Sequence, residues 1–187
     1  MVTTAIPELA ERMRRLRVHG MDIDGDIRHR AGILFEHYLE PGFNMRLTDL
    51  QAAIGRLQLR RLPAAIERRR ELAARYHEKL QAANLDIPAE SPWAKSNWQS
   101  YCVRLPDHVD QRRAMELLAA RGIASRRGIM CAHREPAYAK GGWRCSPAGL
   151  VASETAQDRC ILVPLCATMT DAEQDRVIAA LLEACRQ

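Results

Sequence analysis

Apolar residues recur at the three- and four-residue spacing of an amphipathic helix along much of the chain. The first predicted helix begins at Pro7, because proline is well suited to the first helical turn. A second helix is predicted from Thr48 to Leu62. Pro63 is expected to kink or restart that helix, since proline has no N–H to donate within a helix. The helix that follows is predicted to end near Asn84.

The pattern changes after residue 92 to short units in which strands and helices alternate. Residues 100–105 alternate between apolar and polar, as a half-buried strand does. Short apolar runs at 123–126 and 160–163 predict two further strands. This order of elements predicts an α+β fold, with helices covering one face of a small antiparallel or mixed sheet.

Two helices in this second half are marked by residues that cap helix N-termini. Asp110 supplies a side-chain acceptor ahead of a helix that is predicted to end at Gly122. Thr170 and Glu173 have the spacing of a capping box, in which each side chain accepts a hydrogen bond from the other residue's backbone N–H. We therefore predict that the last helix begins directly after Thr170.

The most specific polar pattern of the chain is a loop that precedes the second helix. Asn44 and Arg46 follow Gly42 at short spacing, and Thr48 with Gln51 forms a capping box at the helix start. An amide and a guanidinium are hydrogen-bond donors suited to an anion such as a phosphate. The same two side chains can also serve only to hold the loop against the helix, and the pattern alone leaves both interpretations open.

The formal net charge of +5 is carried almost wholly by arginine. These arginines are spread along helices that also carry acidic residues, which is typical of solvated helix faces. A nucleic-acid-binding protein needs a one-sided basic surface, and single-strand binding needs more aromatic side chains than the 5% present here. No nucleic-acid partner is predicted.

Six cysteines are scattered without CxxC pairs, and no apolar stretch is long enough to cross a bilayer. The N-terminus lacks the apolar segment of a signal peptide. Metal binding is not predicted, because the spacing of Cys131, His133 and Cys145 fits no common zinc motif. A reducing, cytoplasmic location without a membrane partner is therefore expected.

The run from Gly42 to Gly55 closely resembles the G-[YF]-N-x-R-x-T-D-L-Q-A-A-x-G segment of one enzyme family. This is the DegT/DnrJ/EryC1/StrS family of pyridoxal-phosphate-dependent sugar aminotransferases. Residues 17–20 resemble the family's R-x-H-G segment, and residues 162–175 resemble its final strand and helix. The resemblance covers nearly all 187 residues, which correspond to about the second half of the family's usual chain.

This resemblance implies the C-terminal part of the aspartate-aminotransferase-like fold (fold type I), with bridging helices and a small α/β C-terminal domain. Residues 1–47 are then expected to be a remnant of the large cofactor domain together with an active-site loop. Residues 48–92 are expected to form the bridging helices, and residues 93–187 the small domain.

The resemblance also implies site residues. In the family this loop crosses a dimer interface, so Asn44 and Arg46 are expected to contact the phosphate of pyridoxal 5′-phosphate bound mainly by the other subunit. His133 and Tyr138 match a substrate-side loop, where an imidazole can hydrogen-bond a sugar hydroxyl or a phosphate. His19 is a further candidate for substrate binding.

The family's Schiff-base lysine belongs to a segment that precedes the position of Met1. The three lysines of this chain, Lys79, Lys95 and Lys140, lack the small-residue and histidine context of that nucleophile. A Schiff-base lysine also needs surroundings that position it and lower its pKa. No catalytic residue is therefore predicted in this chain.

The predicted function is that of the C-terminal portion of a nucleotide-sugar aminotransferase, which moves an amino group from an amino acid such as glutamate to a keto-sugar. Alone, the chain is expected to be inactive, with weak or no cofactor binding. Its expected partners are a second copy, or an N-terminal or full-length family subunit, and a nucleotide-sugar substrate. The alternative is a non-catalytic, family-derived protein that dimerises with or complements another subunit.

Overall fold

The computed structural model describes residues 2–22 and 37–186. The chain divides into two compact units, Met1–Arg60 and Arg61–Gln187. The domain boundaries expected after residues 47 and 92 stay a prediction. Two glycines and alternating charge over residues 20–41 predict an irregular segment, and most of that segment lies outside the described residues.

Two helices begin in the described part of the first unit, residues 2–22 and 37–60. Helix α1 spans Pro7–Leu16, with the proline at its start as predicted. Helix α2 spans Asp49–Gln81 and follows the predicted capping box. The backbone N–H of Gln51 donates to Oγ1 of Thr48 at 3.2 Å, and the N–H of Thr48 donates to Oε1 of Gln51 at 3.0 Å. Two of the donors that a helix start leaves unpaired are satisfied in this way.

Helix α2 is continuous for 33 residues, so Pro63 does not restart the helix, and the other predicted outcome, a kink at Pro63, stays a prediction. Proline removes the hydrogen bond that the carbonyl of Leu59 would accept from four residues further on, and its ring crowds that carbonyl. Leu59 is 67% exposed, so water can bond to that carbonyl instead. The loss at one exposed position is too small to divide the helix.

The second unit contains a three-stranded antiparallel sheet. Its strands are β1 (Tyr101–Arg104), β2 (Arg126–Arg127) and β3 (Cys160–Val163), and β3 lies between the other two. Tyr101 pairs with Val163 across β1 and β3. This arrangement confirms the predicted α+β fold and two of the three predicted strands.

The predicted strand at 123–126 is displaced to β2. Helix α3 (Gln111–Ala120) ends in a turn in which Gly122 has a positive φ of 72°. In this turn the N–H of Ile123 donates to the carbonyl of Leu118 at 3.0 Å. Because that N–H completes the helix end, it is not available to the sheet, and strand pairing starts later.

Helix caps predicted from the sequence are present at α3 and at α5 (Asp171–Ala184). The side chain of Asp110 accepts from the N–H of Arg113 at 2.8 Å. Thr170 and Glu173 form the complete capping box ahead of α5. Helix α4 (Val151–Arg159) was not predicted, and it has no side-chain cap to mark its start.

One hydrophobic core lies between the sheet and the helices of the second unit. It receives side chains from the later turns of α2, from alternate positions of β1 and β3, and from α3 and α5. Its fully buried larger members are Leu72, Tyr76, Leu80, Tyr101, Val103, Leu105, Leu118, Ile161 and Leu181. The rings of Tyr76 and Tyr101 lie 4.8 Å apart, and the Tyr76 hydroxyl donates to the carbonyl of Pro164 at 2.8 Å.

No helix among the described residues is both long enough and apolar enough to cross a membrane.

Candidate functional site

The loop that carries Asn44 is joined by backbone pairing to the segment that follows α1. Val18 and Asn44 form an antiparallel β-bridge, and the N–H of His19 donates to the carbonyl of Phe43 at 2.9 Å. His19 itself has a positive φ of 62°, which is uncommon for a residue with a side chain. The predicted phosphate loop and His19 therefore lie side by side through their backbones.

Two glycines allow these segments to cross closely. A Cβ atom on Gly42 would lie 2.2 Å from the nitrogen of Gly20, and a Cβ atom on Gly20 would lie 1.9 Å from the carbonyl oxygen of Glu40. Both neighbours are backbone atoms, so no side-chain rotation can relieve either clash. Only glycine fits at these two positions.

Glu40 fixes the same crossing through its side chain. Arg12 donates to its Oε2 at 2.9 and 3.1 Å, and Arg15 donates to its Oε1 at 2.9 and 3.2 Å. The hydrogen bonds from Arg12, and then those from Arg15, hold the pKa of this carboxyl below its usual range. Both carboxylate oxygens are thus bound to α1, directly before the loop begins.

Asn44 and Arg46 are brought together by the loop. Nε of Arg46 donates to Oδ1 of Asn44 at 3.1 Å, and both residues are exposed. This bond occupies the amide oxygen and leaves the amide NH₂ of Asn44 and the terminal nitrogens of Arg46 with no hydrogen bond from any described residue. The pair therefore presents several donors and no carboxylate, which suits an anion.

A cavity of about 580 Å³ lies in the second unit and takes in the other predicted substrate residues. Its wall is mostly apolar and aromatic, and its polar side chains come from one histidine, one arginine, one serine and one tyrosine. The lining residues are Cys102, Gly128, Ile129, Met130, Cys131, Ala132, His133, Tyr138, Trp143, Arg144, Leu150, Ser153 and Ala156. A mostly apolar pocket with a few polar groups is typical of a site for a small organic ligand.

Two short 3₁₀ turns, Ala132–Arg134 and Pro136–Tyr138, place His133 and Tyr138 in this wall. The Tyr138 side chain is half exposed, while that of His133 is only 12% exposed. The imidazole of His133 packs against the indole of Trp143, with ring centroids 5.1 Å apart. The two predicted residues are thus parts of one cavity.

His133 is held by a carboxylate on α4. Its Nε2 lies 2.8 Å from Oε1 of Glu154, and Oε2 of Glu154 lies 3.2 Å from a terminal nitrogen of Arg134. The hydrogen bond from His133, followed by the charge of Arg134, holds the pKa of Glu154 below its usual range. Asp158 in turn accepts from Arg134 at 2.8 and 2.9 Å. Glu154 is therefore an ionised acceptor at neutral pH.

The thiol of Cys102 also borders this cavity. Burial, with a smaller contribution from Cys160, raises the pKa of Cys102 to about 11. The group is therefore a neutral thiol at physiological pH and not the thiolate that nucleophilic chemistry requires. It contributes shape to the cavity wall.

Sequence patterns did not identify Trp143, Arg144, Glu154 or Glu40 as parts of these sites. Glu154 lies on a helix whose start no cap residue marks in the sequence, and Trp143 lies in a glycine-rich connection without periodicity. The predicted residues fall into two groups in different units: His19, Asn44 and Arg46 in the first, His133 and Tyr138 in the second. In residues 2–22 and 37–186, no group of three or more histidine, cysteine or acidic side chains is arranged to hold a metal ion.

Comparison with known proteins gives one family match. The model of the DegT/DnrJ/EryC1/StrS aminotransferase family matches residues 1–182. This confirms the family resemblance inferred from the sequence.

Solved structures of related enzymes match the fold. The aminotransferase TlmJ from Streptoalloteichus hindustanus is 29% identical with a TM-score of 0.81, and the match covers 97% of this chain and 46% of that one. A DegT DnrJ EryC1 StrS aminotransferase from Brucella abortus is 25% identical with a TM-score of 0.78, covering 98% and 45%. PseC from Helicobacter pylori, an aminotransferase involved in the biosynthesis of pseudoaminic acid, shares the fold at 20% identity and a TM-score of 0.83, covering 98% and 47%. The chain spans less than half the length of each, in agreement with the expected partial fold.

Substituting Gly42→Ala is expected to disrupt the loop, because the new methyl group would lie 2.2 Å from the nitrogen of Gly20. Hydrogen exchange should then become faster at the amides of His19 and Met45, which donate across the crossing at 2.9 Å each. Gly55→Ala is the matched control: nothing lies within 4 Å of its Cβ position. As a glycine in a helix, it should gain up to about 1 kcal/mol from the same change. Unchanged protection of both amides in the Gly42 variant would contradict the proposed crossing.

Proposed function

The chain belongs to the DegT/DnrJ/EryC1/StrS aminotransferase family, and we propose that it is part of a pyridoxal-phosphate-dependent nucleotide-sugar aminotransferase. In this proposal its cavity contributes the substrate-side wall, and its Asn44 loop contributes a phosphate contact. The complete enzyme would transfer an amino group from an amino acid to a keto-sugar carried on a nucleotide.

The observation that carries the proposal is the cavity around His133. A sugar ring has apolar C–H faces and hydroxyl edges, so it suits a wall that combines aromatic rings with a few hydrogen-bonding groups. Trp143 and Tyr138 supply the aromatic surfaces. His133 and Arg144 supply polar groups at the same wall, and the arginine suits the phosphates of a nucleotide.

The described residues fit the cofactor only in part. The free donors of Asn44 and Arg46 suit its phosphate, as the family resemblance leads us to expect. No lysine lines the cavity: Lys79 lies 3.0 Å from a carboxylate oxygen of Asp175, and Lys95 and Lys140 are exposed on connections. We therefore propose that the lysine that binds the cofactor is supplied by polypeptide outside these 187 residues, and no reaction step is derived through the cofactor.

An apolar stripe on the first turns of α2 supports an interaction with another subunit. Leu50, Ile54 and Leu57 recur at helical spacing, and they are 74%, 54% and 54% exposed. Contiguous exposed apolar side chains are typical of protein interfaces. We propose a homodimer, or a pair with another family subunit. The non-catalytic partner protein remains the second candidate, and the same stripe favours it equally.

A cytoplasmic location is part of the proposal. All six cysteines are free, which suits a reducing compartment.

Binding of a sugar nucleotide tests the cavity directly. We expect the chain to bind uridine diphosphate glucose or thymidine diphosphate glucose, and His133→Ala to weaken that binding about tenfold by removing one hydrogen bond. Ligand-observed NMR can measure this. His108→Ala is the control, because that imidazole bonds to the carbonyl of Cys185 at 3.1 Å and does not line the cavity. The proposed cavity function fails if neither nucleotide binds, or if the two variants weaken binding equally.

Chemical trapping tests the origin of the lysine. After incubation with pyridoxal 5′-phosphate and reduction with borohydride, we expect peptide mass mapping to find no stoichiometric label. The reason is that Lys79 is engaged with a carboxylate, while Lys95 and Lys140 are solvated. A relative that contains the complete fold serves as the positive control. Full labelling of a single lysine of this chain would overturn the proposal.

Sedimentation analysis tests the apolar stripe. We expect the chain to self-associate and Ile54→Glu to weaken association by at least about tenfold, because the interface would bury an unpaired charge. Leu59→Glu is the matched control, since Leu59 is 67% exposed and lies about 140° around the helix from Ile54, on the side opposite the stripe. A monomeric wild-type chain, or equal loss in both variants, would argue against this interface.

A further inference from the structure

The contact between His133 and Glu154 determines where the imidazole carries its hydrogen. Nε2 of His133 lies 2.8 Å from Oε1 of Glu154. The pKa of Glu154 is held below its usual range, so this carboxylate is ionised and can only accept. The hydrogen in this bond must therefore be on Nε2.

When the imidazole is in its neutral form it carries one hydrogen, and Nδ1 of His133 then keeps a lone pair. No described residue hydrogen-bonds to that nitrogen. His133 belongs to the cavity wall, and its ring is packed against Trp143. Nδ1 of His133 is thus a hydrogen-bond acceptor at the cavity wall, and contacts with Glu154 and Trp143 restrain the orientation of the ring.

Arg134 fixes the orientation of Glu154. Its guanidinium lies 3.2 Å from Oε2, the carboxylate oxygen that His133 does not use. Asp158 accepts from the same arginine at 2.8 and 2.9 Å, one turn further along α4. Because arginine only donates, the group that faces it must be an acceptor.

We propose that Glu154 is a positioning residue that keeps the hydrogen of His133 on Nε2, so that Nδ1 accepts a hydrogen bond from a hydroxyl group of the ligand in the cavity. A phosphate oxygen has no hydrogen to donate to Nδ1, so the imidazole hydrogen-bonds to the sugar and not to the phosphates. The ligand class in this inference rests on the proposed function, whereas the role of Glu154 does not.

Glu154→Gln separates positioning from mere support. The variant keeps the shape of the side chain, and its amide oxygen is required opposite Arg134. Its NH₂ group then faces His133 and donates to Nε2, which moves the imidazole hydrogen to Nδ1. An asparagine in place of a catalytic aspartate imposes the wrong imidazole tautomer in the same way. A residue needed only for packing would tolerate the glutamine.

The tautomer can be read without any ligand. Multiple-bond ¹H–¹⁵N NMR spectra are recorded at a pH about two units above the ordinary imidazole pKa of about 6.5. The signal of His133 is assigned by its absence in the His133→Gln variant. We expect hydrogen on Nε2 in the wild type and on Nδ1 in Glu154→Gln. Asp158→Asn, which changes the other carboxylate bound to Arg134, should leave it on Nε2. Hydrogen on Nε2 in Glu154→Gln, or an equal shift in Asp158→Asn, would overturn the positioning role.

The hydroxyl contact is tested with a pair of ligands that differ in the sugar. We expect Glu154→Gln to weaken binding of uridine diphosphate glucose about tenfold and to leave binding of uridine diphosphate unchanged. Equal loss for both ligands would assign the imidazole to the phosphates, and no loss for either would exclude the contact. If the wild type binds neither ligand, the hydroxyl contact falls together with the proposed function. The NMR result on Glu154 still stands in that case.

Discussion

The antiparallel pairing of β1 with β3 is the constraint on which the second unit depends. Side chains alternate between the two faces of a strand, so one register decides what each face carries. Tyr101 and Val103 point with Ile161 into the core, where the Tyr101 ring meets Tyr76. Between them, Cys102 faces the other side and lines the cavity. A shift of one residue would exchange core and cavity, and burial of each large apolar side chain, worth about 1.5–3 kcal/mol, opposes it.

The cavity is assembled by elements that the sheet holds in place. The 3₁₀ turns that carry His133 and Tyr138 follow β2, and the helix that carries Glu154 runs directly into β3. Because β2 pairs with β3, the histidine and its carboxylate meet although they are 21 residues apart. A polar pair of this kind owes its geometry to backbone pairing and adds little to stability where it is partly exposed.

The loop of the first unit depends on a different principle, which is close approach of backbones. Gly20 and Gly42 permit a crossing that any side chain would block, and Glu40 binds two arginines of α1 at the same place. The loop then has few conformations open to it, so the donors of Asn44 and Arg46 are presented together. Ordering the donors before an anion arrives lowers the entropy cost of binding.

The features that were predicted correctly from the sequence depend on interactions between residues that are close together in the chain. The caps at Asp110 and Thr170 and the alternation of β1 depend on neighbouring residues, and a polar motif around Asn44 was enough to indicate the family. Pro63 does not restart α2, which was one of the two outcomes predicted for it, because the loss of one exposed hydrogen bond is too small to divide a long helix. Only the tertiary structure brought Glu154 to His133. That contact joins positions far apart in the chain. It depends on the pairing of β2 with β3, which the periodicity and spacing of the sequence do not predict.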